Sequence, residues 1–394
     1  GHFSLEIRER VIKTFSAGDL FGEIALIDAR PRMGTVRALT AGSILVMDKK
    51  DLENEELLAA RISLKLYQAF ARMVTSYMRE SSDLYNEMDV LLIQDGGCAP
   101  GYNPITAFLT EHLEKAERKI YIAAEGFKSI VSNRTQDYRR LIHNPDLYRE
   151  LEQIPGVIFA PPLREARGAD FRTERYPEFK EEQNQQIAAR NIIARHIKVV
   201  VGIGGNGTFA GIKALSKILP DTVQVFFIPV TIDSDICGTD CIGEYTGVEV
   251  GAEKIRSYMA DARTHKRYYF IEMMGARGGY HALHSCLGAG AHLAVLPSSH
   301  HDLAKIIPAL LRRDSVVIVI AEGYKQKERQ SQNYTGNAAE FFRDELLAAG
   351  FKPLRRIVCE GFSRDIRGAA PNNLDIMLAQ RMARKLTSMV QTGQ

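Results

Sequence analysis

Cysteine is scarce in this sequence, and long apolar runs are missing. The five cysteines among 394 residues are scattered and odd in number, which argues against a disulfide framework and indicates a reducing, cytoplasmic compartment. The longest apolar runs, near residues 223–230 and 316–321, have the length of strands, far short of the roughly 18 residues that span a bilayer. No secretory signal is visible at the start. We therefore expect neither a disulfide-stapled scaffold nor a membrane protein.

Neither sign of charge is in clear excess. The 51 basic and 48 acidic residues leave a net charge of +3, and they are interspersed, so no nucleic-acid partner is expected. Apolar residues make up 45% of the chain, which is enough for sizeable cores and excludes wholesale disorder. At roughly 150 residues per domain, the length predicts two or three domains.

The residue pattern divides the chain into three zones. The first is short, β-like and punctuated by glycine turns. The second has no glycine or proline from residue 51 to 83, and its apolar residues recur at helical spacing, which predicts one long amphipathic helix or two. From Val90 onward, apolar strands alternate with amphipathic helices, as is typical of a parallel α/β sheet. We expect domains at residues 1–50, 51–88 and 89–394.

Seven apolar segments of the third zone are predicted strands, at residues 90–94, 120–124, 157–160, 199–203, 223–229, 268–273 and 316–321. In open parallel sheets, ligands bind beyond the carboxyl ends of the strands. Chemically unusual residues follow six of the seven strand ends: Gly96-Gly97, Glu125-Gly126, the glycines from Gly202, Asp233 with Asp235, Gly275 with Arg277, and Glu322. The pattern predicts an active-site rim.

Two glycine-rich turns follow predicted strands. Gly202, Gly204 and Gly207 lie between a buried strand and a helix, where backbone N–H groups and the helix dipole favour a polyphosphate. Their spacing matches G-x-G-x-x-G, but Asp221 comes too soon to be the ribose acid of a dinucleotide site, expected about 20 residues on. The alternative is a tight packing turn. A second such turn at residues 94–103 favours a phosphate donor over a hydride carrier.

Asp233 and Asp235 follow a strongly apolar strand. In extended backbone they project to the same side, and their repulsion would raise the pKa of one of them. Magnesium favours one or two carboxylates together with substrate phosphates, so one aspartate could bind the metal while the other acts as a base. The alternative is a solvated turn with capping aspartates. Four arginines near strand ends or loops could together hold the phosphates of donor and acceptor: Arg175, Arg267, Arg277 and Arg367.

From Val90 to near its end, over about 290 residues, the sequence resembles the phosphofructokinase family. The matching segments occur in the family's order. They are Gly96-Gly-Cys-Ala-Pro-Gly-Tyr-Asn103, Arg175-Tyr-Pro-Glu-Phe179, Gly204-Gly-Asn-Gly-Thr208, Pro229-Val-Thr-Ile-Asp-Ser-Asp235, Arg267 at the family's distance before Met274-Gly275, Glu322-Gly323 and Arg367-Gly368. An ordered series of this kind is highly specific.

The resemblance implies a role for each matched residue. Asp233 would take the proton from the 1-hydroxyl of fructose 6-phosphate, assisted by Thr231, and Asp235 would bind the metal or orient the base. The donor phosphates would contact Gly96, Gly97, Arg175, Gly205, Asn206, Gly207 and Thr208. The sugar phosphate would contact Met274, Gly275, Glu322, Arg364, Arg367 and Arg267, the last reaching a neighbouring subunit. Mg²⁺ would be held by Asn206 and Asp235.

Departures from the family pattern bear on activity and on the donor. Cys98 and Asn206 replace aspartates, and Asn206 stands where the family binds magnesium, so a neutral amide there should weaken metal binding. Gly207 is the residue typical of ATP users, since pyrophosphate users carry a bulkier acid, and ATP is therefore favoured. The alternatives are a pyrophosphate-dependent enzyme and a catalytically weakened, nucleotide-sensing regulatory subunit. An NAD or lipid kinase would lack the Pro229–Asp235 segment and the sugar-phosphate arginines.

The first zone resembles the cyclic-nucleotide-binding domain. Its phosphate-binding segment matches at Phe21-Gly-Glu-Ile-Ala-Leu26 and Pro31-Arg-Met-Gly-Thr-Val-Arg-Ala38. The resemblance implies that cAMP or cGMP contacts Gly22, Glu23, Ile24, Arg32 and Thr35, with Arg32 on the cyclic phosphate and Glu23 on the ribose. Only about 20 residues precede this segment, so we expect a partial β-roll and a chain that is a piece of a longer one.

Together these patterns predict a small β-roll, a linking helix and phosphofructokinase-like α/β domains with parallel sheets. The expected activity is a cytosolic 6-phosphofructokinase under cyclic-nucleotide control. Its expected ligands are fructose 6-phosphate, ATP, Mg²⁺ and a cyclic nucleotide, and the resemblance implies a homo-oligomer, either a dimer or a tetramer.

Overall fold

The computed structural model describes residues 2–7, 10–15, 21–22, 35–46, 88–151, 158–362 and 364–393. The chain forms two compact units, Gly1–Tyr85 and Asn86–Gln394. The helix expected at residues 51–83 lies outside the described residues, so the division into three domains stays a prediction. In the parts of the chain described, no helix is both long and apolar enough to cross a membrane.

The N-terminal unit contains an antiparallel sheet of three described strands. They are β1 (Phe3–Ile7), β2 (Arg10–Phe15) and β3 (Thr35–Ala38), in the order β2-β1-β3. Phe3, at the start of β1, pairs with Phe15 on one side and with Ala38 on the other, and it is buried. The predicted β-like character of this zone is confirmed in these three segments.

The second unit begins with a six-stranded sheet in the order β7-β6-β5-β4-β8-β9. Its strands are β4 (Val90–Asp95), β5 (Ile120–Ala123), β6 (Tyr138–Leu141), β7 (Ile158–Phe159), β8 (Val199–Gly204) and β9 (Gln224–Pro229). The five strands expected from the sequence are present. β6 was not expected, and it runs antiparallel to β5, so this sheet is not wholly parallel.

A second sheet of four parallel strands has the order β11-β12-β10-β13. Its strands are β10 (Tyr268–Met273), β11 (Leu293–Val295), β12 (Val316–Ala321) and β13 (Ile357–Phe362). The central pair, β10 and β12, has the bounds expected from the sequence, whereas the edge strands β11 and β13 were not expected. Every residue of β12 is buried, which fits its uninterrupted apolar sequence.

The described helices cover these sheets. They are α1 (Tyr102–Lys115), α2 (Gly126–Ser132), α3 (Pro145–Leu151), α4 (Glu182–Ala194), α5 (Asn206–Ser216), α6 (Glu244–His265), α7 (Tyr280–Ala289), α8 (Leu303–Leu311), α9 (Gln326–Ser331), α10 (Ala338–Ala348), α11 (Arg364–Arg367) and α12 (Asn373–Thr392). Short 3₁₀ segments lie at Thr135–Asp137 and Pro177–Lys180.

One buried apolar cluster joins the two sheets of the second unit. It runs from Leu92 and Val201 in the first sheet to Ile271 and Val319 in the second, with side chains of α1, α6 and α12 packed between them. Burying a side chain of this size contributes about 1.5–3 kcal/mol. Because this shared core fixes the sheets relative to each other, the loops at the carboxyl ends of their strands have defined neighbours.

Candidate active site

A cleft of about 600 Å³ opens at the carboxyl ends of β4, β8 and β9. That volume is typical of small-molecule sites. The cleft brings together the residues expected from the sequence to act on the donor and in catalysis, and with them Arg367, which was expected to contact the sugar phosphate: Gly96, Gly97, Arg175, Gly205, Asn206, Gly207, Thr208, Thr231, Asp233, Asp235 and Arg367. These residues come from five separate segments of the chain, and the order of β4, β8 and β9 in the sheet explains why three of them meet.

The loop between β8 and α5 depends on close packing against β4. A Cβ at Gly204 would collide with the hydroxyl of Thr208 and with the backbone carbonyl of Asp95, so only glycine fits there. The Thr208 hydroxyl donates to that carbonyl at 3.0 Å, and the Tyr102 hydroxyl donates to it at 2.9 Å. Helix α5 begins at Asn206, so its free N–H groups face the cleft, as the sequence predicted for a phosphate site.

Asp95 is a site residue that the sequence analysis missed. It ends β4, is only 7% exposed and lines the cleft beside Gly96. Burial raises its pKa to about 6, although the Thr208 hydroxyl and the charge of Arg175 act in the opposite direction. No described residue donates a hydrogen bond to its Oδ1 atom. Its place directly before the glycine turn of Gly96 and Gly97, at the end of a predicted strand, is the feature of the sequence that marks it as a candidate.

The loop that carries Asp233 is held at both ends. The Thr231 N–H donates to the carbonyl of Ile242, and the Ile242 N–H donates to that of Pro229, both at 3.0 Å. The Asp233 N–H donates to the Thr231 hydroxyl oxygen at 3.1 Å. The backbone between Asp233 and Asp235 is not extended as expected, because Ser234 has φ +47°, but both aspartates line the cleft. Asp235 is exposed, whereas Asp233 is half-buried.

The electrostatics single out Asp233. Burial raises its pKa to about 6, and the charges of Asp235 and Glu322 add to this effect, while Arg367 and Arg175 oppose it. Its Oδ1 atom is buried and receives no hydrogen bond from any described residue. A carboxylate that is partly desolvated, surrounded by charges and left unpaired in a cleft has the properties of a catalytic base.

Glu322 connects the second sheet to this site. Its carboxylate accepts hydrogen bonds from the backbone N–H groups of Gly275, at 3.2 Å, and Ala276, at 3.3 Å, and so joins the ends of β10 and β12. Met274 is buried, and Ala276, with φ +49°, lines the cleft. The expected sugar-binding residues Met274, Gly275 and Glu322 therefore lie together at the ends of β10 and β12, next to but outside the lining of the cleft, and the charge of Glu322 is within range of Asp233.

The four arginines expected to act together separate into two groups. Arg367 and Arg175 both approach Gly97: a Cβ there would collide with Nη1 of Arg367 and lie 3.3 Å from Nη2 of Arg175. Arg267 instead pairs with Asp261 at 3.5 Å, at the start of β10, about 20 Å of strand away from Gly275. Arg277 is exposed and lies outside the cleft lining. Arg364 begins α11, but its side chain is outside the described residues.

The donor end of the cleft has an aromatic wall that the sequence analysis did not identify. The rings of Phe127 and Phe179 stack with centroids 4.1 Å apart. Gly211 of α5 lies against this pair, because a Cβ there would be 2.7 Å from Cε2 of Phe127. Phe127 and Phe179 are only 2% and 4% exposed, whereas Tyr176 is partly exposed at this end of the cleft, with Lys180 beside it in the lining. The signal available in the sequence was Phe179 itself, at the end of the Arg175–Phe179 motif.

Two of the five residues expected to bind a cyclic nucleotide are described. Gly22 has φ +85°, a conformation that favours glycine, and Thr35 is the exposed first residue of β3. Glu23, Ile24 and Arg32 lie outside the described residues. Their roles stay predictions.

Comparison with known proteins agrees with this geometry. Residues 89–390 match the family model for phosphofructokinase, and residues 3–55 match that for the cyclic nucleotide-binding domain. ATP-dependent 6-phosphofructokinases from Fusobacterium nucleatum and Halalkalibacterium halodurans are 27% and 29% identical to the chain. Their alignments cover 78% and 77% of this chain, and 87% and 86% of the relatives.

Solved structures show the same fold. Phosphofructokinase of Pichia pastoris in the T-state matches with a TM-score of 0.63 and 23% identity over 78% of this chain, which corresponds to 32% of that longer chain. A pyrophosphate-dependent phosphofructokinase of Nitrosospira multiformis matches with a TM-score of 0.61 and 17% identity over 78% of this chain and 77% of its own. Because the family model spans most of the sequence, and five of its matched segments meet in one cleft, the chain belongs to the phosphofructokinase family.

Proposed function

We propose that this chain is an ATP-dependent 6-phosphofructokinase, which transfers a phosphoryl group to the 1-hydroxyl of fructose 6-phosphate. The observation that carries the proposal is the position of Asp233, an unpaired carboxylate that lines the cleft together with the donor loops and lies within range of the charge of Glu322. The names of the curated relatives support the same activity.

Each side of the cleft has a part in this reaction. Asp233 takes the proton as the 1-hydroxyl oxygen bonds to the γ-phosphorus of ATP, the bond from that phosphorus to the β–γ bridging oxygen breaks, and ADP leaves. Thr231 fixes the loop through its hydrogen bond to the Asp233 N–H. Arg175 offers a guanidinium group beside Gly97, where the phosphoryl group would pass, and Arg367 on the same glycine would hold the sugar phosphate. Met274, Gly275 and Glu322 would orient the sugar.

The shape of the donor end favours ATP over pyrophosphate. Tyr176 is partly exposed beside the buried Phe127–Phe179 pair and offers an aromatic ring on which a purine can pack, and pyrophosphate has no group that could use it. Gly207 faces open space, since no atom would lie within 4 Å of a Cβ placed there. This leaves room for a nucleotide at the start of α5.

The donor end also fits a magnesium ion bound together with the donor phosphates. Among the described residues, no group of three His, Cys, Asp or Glu side chains forms a ready-made metal site. Magnesium commonly takes only one or two protein ligands and the rest from phosphates and water, which the oxygens of Asn206 and the unpaired Oδ1 of Asp95 can complement. When bound, the ion would offset phosphate charge. A direct role for Asp235 in binding it stays a prediction.

The test is the initial rate of fructose 6-phosphate phosphorylation by the purified chain alone, with ATP or with pyrophosphate as the donor. We expect ATP to support turnover and pyrophosphate to support less than a hundredth of that rate, because pyrophosphate has no ring that could pack on the aromatic wall. Turnover with pyrophosphate alone would reverse the choice of donor. Absence of turnover with either donor would favour the regulatory-subunit alternative.

We further propose that the N-terminal unit binds a cyclic nucleotide and regulates the enzyme, as the match over residues 3–55 suggests. Coupling between two sites is typically 1–3 kcal/mol, so cAMP or cGMP should change the apparent affinity for fructose 6-phosphate by about 5- to 150-fold. Arg32→Ala should abolish this response and leave the basal rate unchanged, because it removes only the charge-assisted contact to the cyclic phosphate.

The control for the regulatory prediction is Arg37→Ala, since Arg37 is an exposed arginine of β3 to which no ligand role is assigned. It should keep the response. Calorimetry that detects neither cAMP nor cGMP binding would contradict the sensor. Binding without any kinetic change would contradict the coupling.

The proposed assembly is a homo-oligomer in which Arg267 holds the sugar phosphate of a neighbouring subunit. Its position at the far end of β10 keeps it out of the cleft of its own chain, which is what such a role requires. Its present partners are the Asp261 carboxylate and the Tyr269 hydroxyl, each at 3.5 Å, and its side chain is 34% exposed.

A further inference from the structure

We propose that Asp95 supplies the protein carboxylate of the metal–donor complex, in place of a charge at position 206, where this chain has a neutral asparagine. The inference rests on the proposed function, since it concerns how the same cleft holds a metal-bound polyphosphate. The proposal gives a role to Asp95, which the sequence marks only by its place directly before Gly96.

The first observation is a buried carboxylate with an unused oxygen. Asp95 is 7% exposed, and no described residue donates to its Oδ1 atom, while Oδ2 lies 3.5 Å from the Thr208 hydroxyl. No ion pair within 4 Å joins it to a described cation, although the charge of Arg175 is close enough to act on it. A buried carboxylate whose only partner is one long hydrogen bond is costly, so a cation in the cleft would offset its charge.

The second observation is that Asp95 is rigidly held. Its backbone carbonyl accepts hydrogen bonds from the hydroxyls of Tyr102 and Thr208, and Tyr102 is fully buried. The strand β4 that ends at Asp95 is paired on both sides, with β5 and β8. A metal ligand on such a support needs little ordering when the ion binds.

The third observation is the distribution of carboxylates in the cleft. Asp95, Asp233 and Asp235 are the carboxylates in its lining among the described residues. Asp233 faces the acceptor as the base, and Asp235 is exposed beyond the kink at Ser234. Of these three, only Asp95 is hydrogen-bonded to α5, the helix whose first residue is Asn206, where the donor phosphates are expected. A carboxylate facing a polyphosphate would repel it unless a cation lay between them.

The test is Mn²⁺ binding to the full chain, followed by electron paramagnetic resonance, in the presence of a non-hydrolysable ATP analogue. Asp95→Asn is nearly isosteric, so the fold should survive. We expect it to weaken Mn²⁺ binding at least tenfold, because even changes next to metal ligands cost about 10–100-fold. The double variant Asp95→Asn with Asn206→Asp should recover most of the affinity, because it returns one carboxylate to the site.

The matched control is Glu174→Gln. Glu174 pairs with Asp95 through a β-bridge, but its carboxylate binds Lys128 at 3.2 Å, so removing its charge should leave Mn²⁺ affinity unchanged. Unchanged affinity in Asp95→Asn, or an equal loss in Glu174→Gln, would overturn the inference. A loss of Mn²⁺ affinity found only in Asp235→Asn would overturn it too, because it would identify Asp235 as the metal ligand.

The outcomes also separate this inference from the proposed function. If the wild-type chain phosphorylates fructose 6-phosphate but Asp95→Asn binds Mn²⁺ normally, the inference fails and the function stands. If Asp95→Asn loses Mn²⁺ affinity but the wild-type chain does not phosphorylate the sugar, the metal site stands and the function fails.

Discussion

Replacing Asp233 with asparagine is expected to lower kcat with fructose 6-phosphate and ATP by about 10²–10⁴-fold, the usual contribution of a general base. The amide keeps the size of the side chain but cannot accept the proton of the 1-hydroxyl. Because the carboxylate has an unpaired Oδ1 among the described residues, the change breaks no hydrogen bond of that atom. The loop should therefore keep its shape, and fructose 6-phosphate should still bind.

The comparison variant for Asp233 is Asp240→Asn. Asp240 is an exposed carboxylate on the same loop, outside the lining of the cleft, so its removal should change kcat by less than threefold. Steady-state kinetics give kcat, and calorimetry gives the affinity for fructose 6-phosphate. An Asp233→Asn variant with near-normal turnover would remove this residue from the mechanism.

The sequence was sufficient to predict the central strands. β4, β8 and β12 are buried along their whole length, and a strand buried on both faces is a short uninterrupted apolar run. β6 was missed because Arg139 and Arg140 occupy its middle, and an edge-side strand tolerates such residues when their charged groups reach solvent. β11 has only three residues, too few for an alternation of apolar and polar residues to be recognised.

The parts of the candidate site that are formed by short local motifs could be predicted from the sequence. The glycine loops and Asp233 are such cases, because turn geometry and strand ends are properties of a few consecutive residues. The burial of Asp95 was not predictable, since it depends on a contact with Thr208, 113 positions away in the sequence. The kink at Ser234 was also hidden, because nothing about serine requires a positive φ.

The sequence also did not show which arginines lie together in the cleft. Arg175 and Arg367 are far apart in sequence and meet beside Gly97, whereas Arg267 and Arg277 do not join them. A charged residue near a strand end can point into the cleft or into solvent, and the sequence alone does not decide between the two. The structure shows that Arg175 and Arg367 lie together beside the donor loop, which makes Arg175 the first arginine to substitute.

Arg175→Ala is expected to lower kcat by about 10²–10³-fold, the cost of losing one group that stabilises charge in a transition state. Arg175 lies beside Gly97 at the donor loop, and its charge reaches both Asp95 and Asp233, so it is placed between donor and base. Arg175→Lys should recover only part of the loss, because an ammonium group cannot make the paired, planar contacts of a guanidinium with phosphate oxygens.

Arg190→Ala provides the matched control for Arg175, since it deletes the same side chain from an exposed position on α4, outside the cleft lining. Its kcat should stay within a factor of two of the wild-type value. Arg367→Ala serves as the contrast: the role implied by the family resemblance predicts mainly a higher KM for fructose 6-phosphate. If Arg175→Ala instead raised only that KM and left kcat unchanged, Arg175 would belong to sugar binding, and its position beside Gly97 would not reflect a contact with the transferred phosphoryl group.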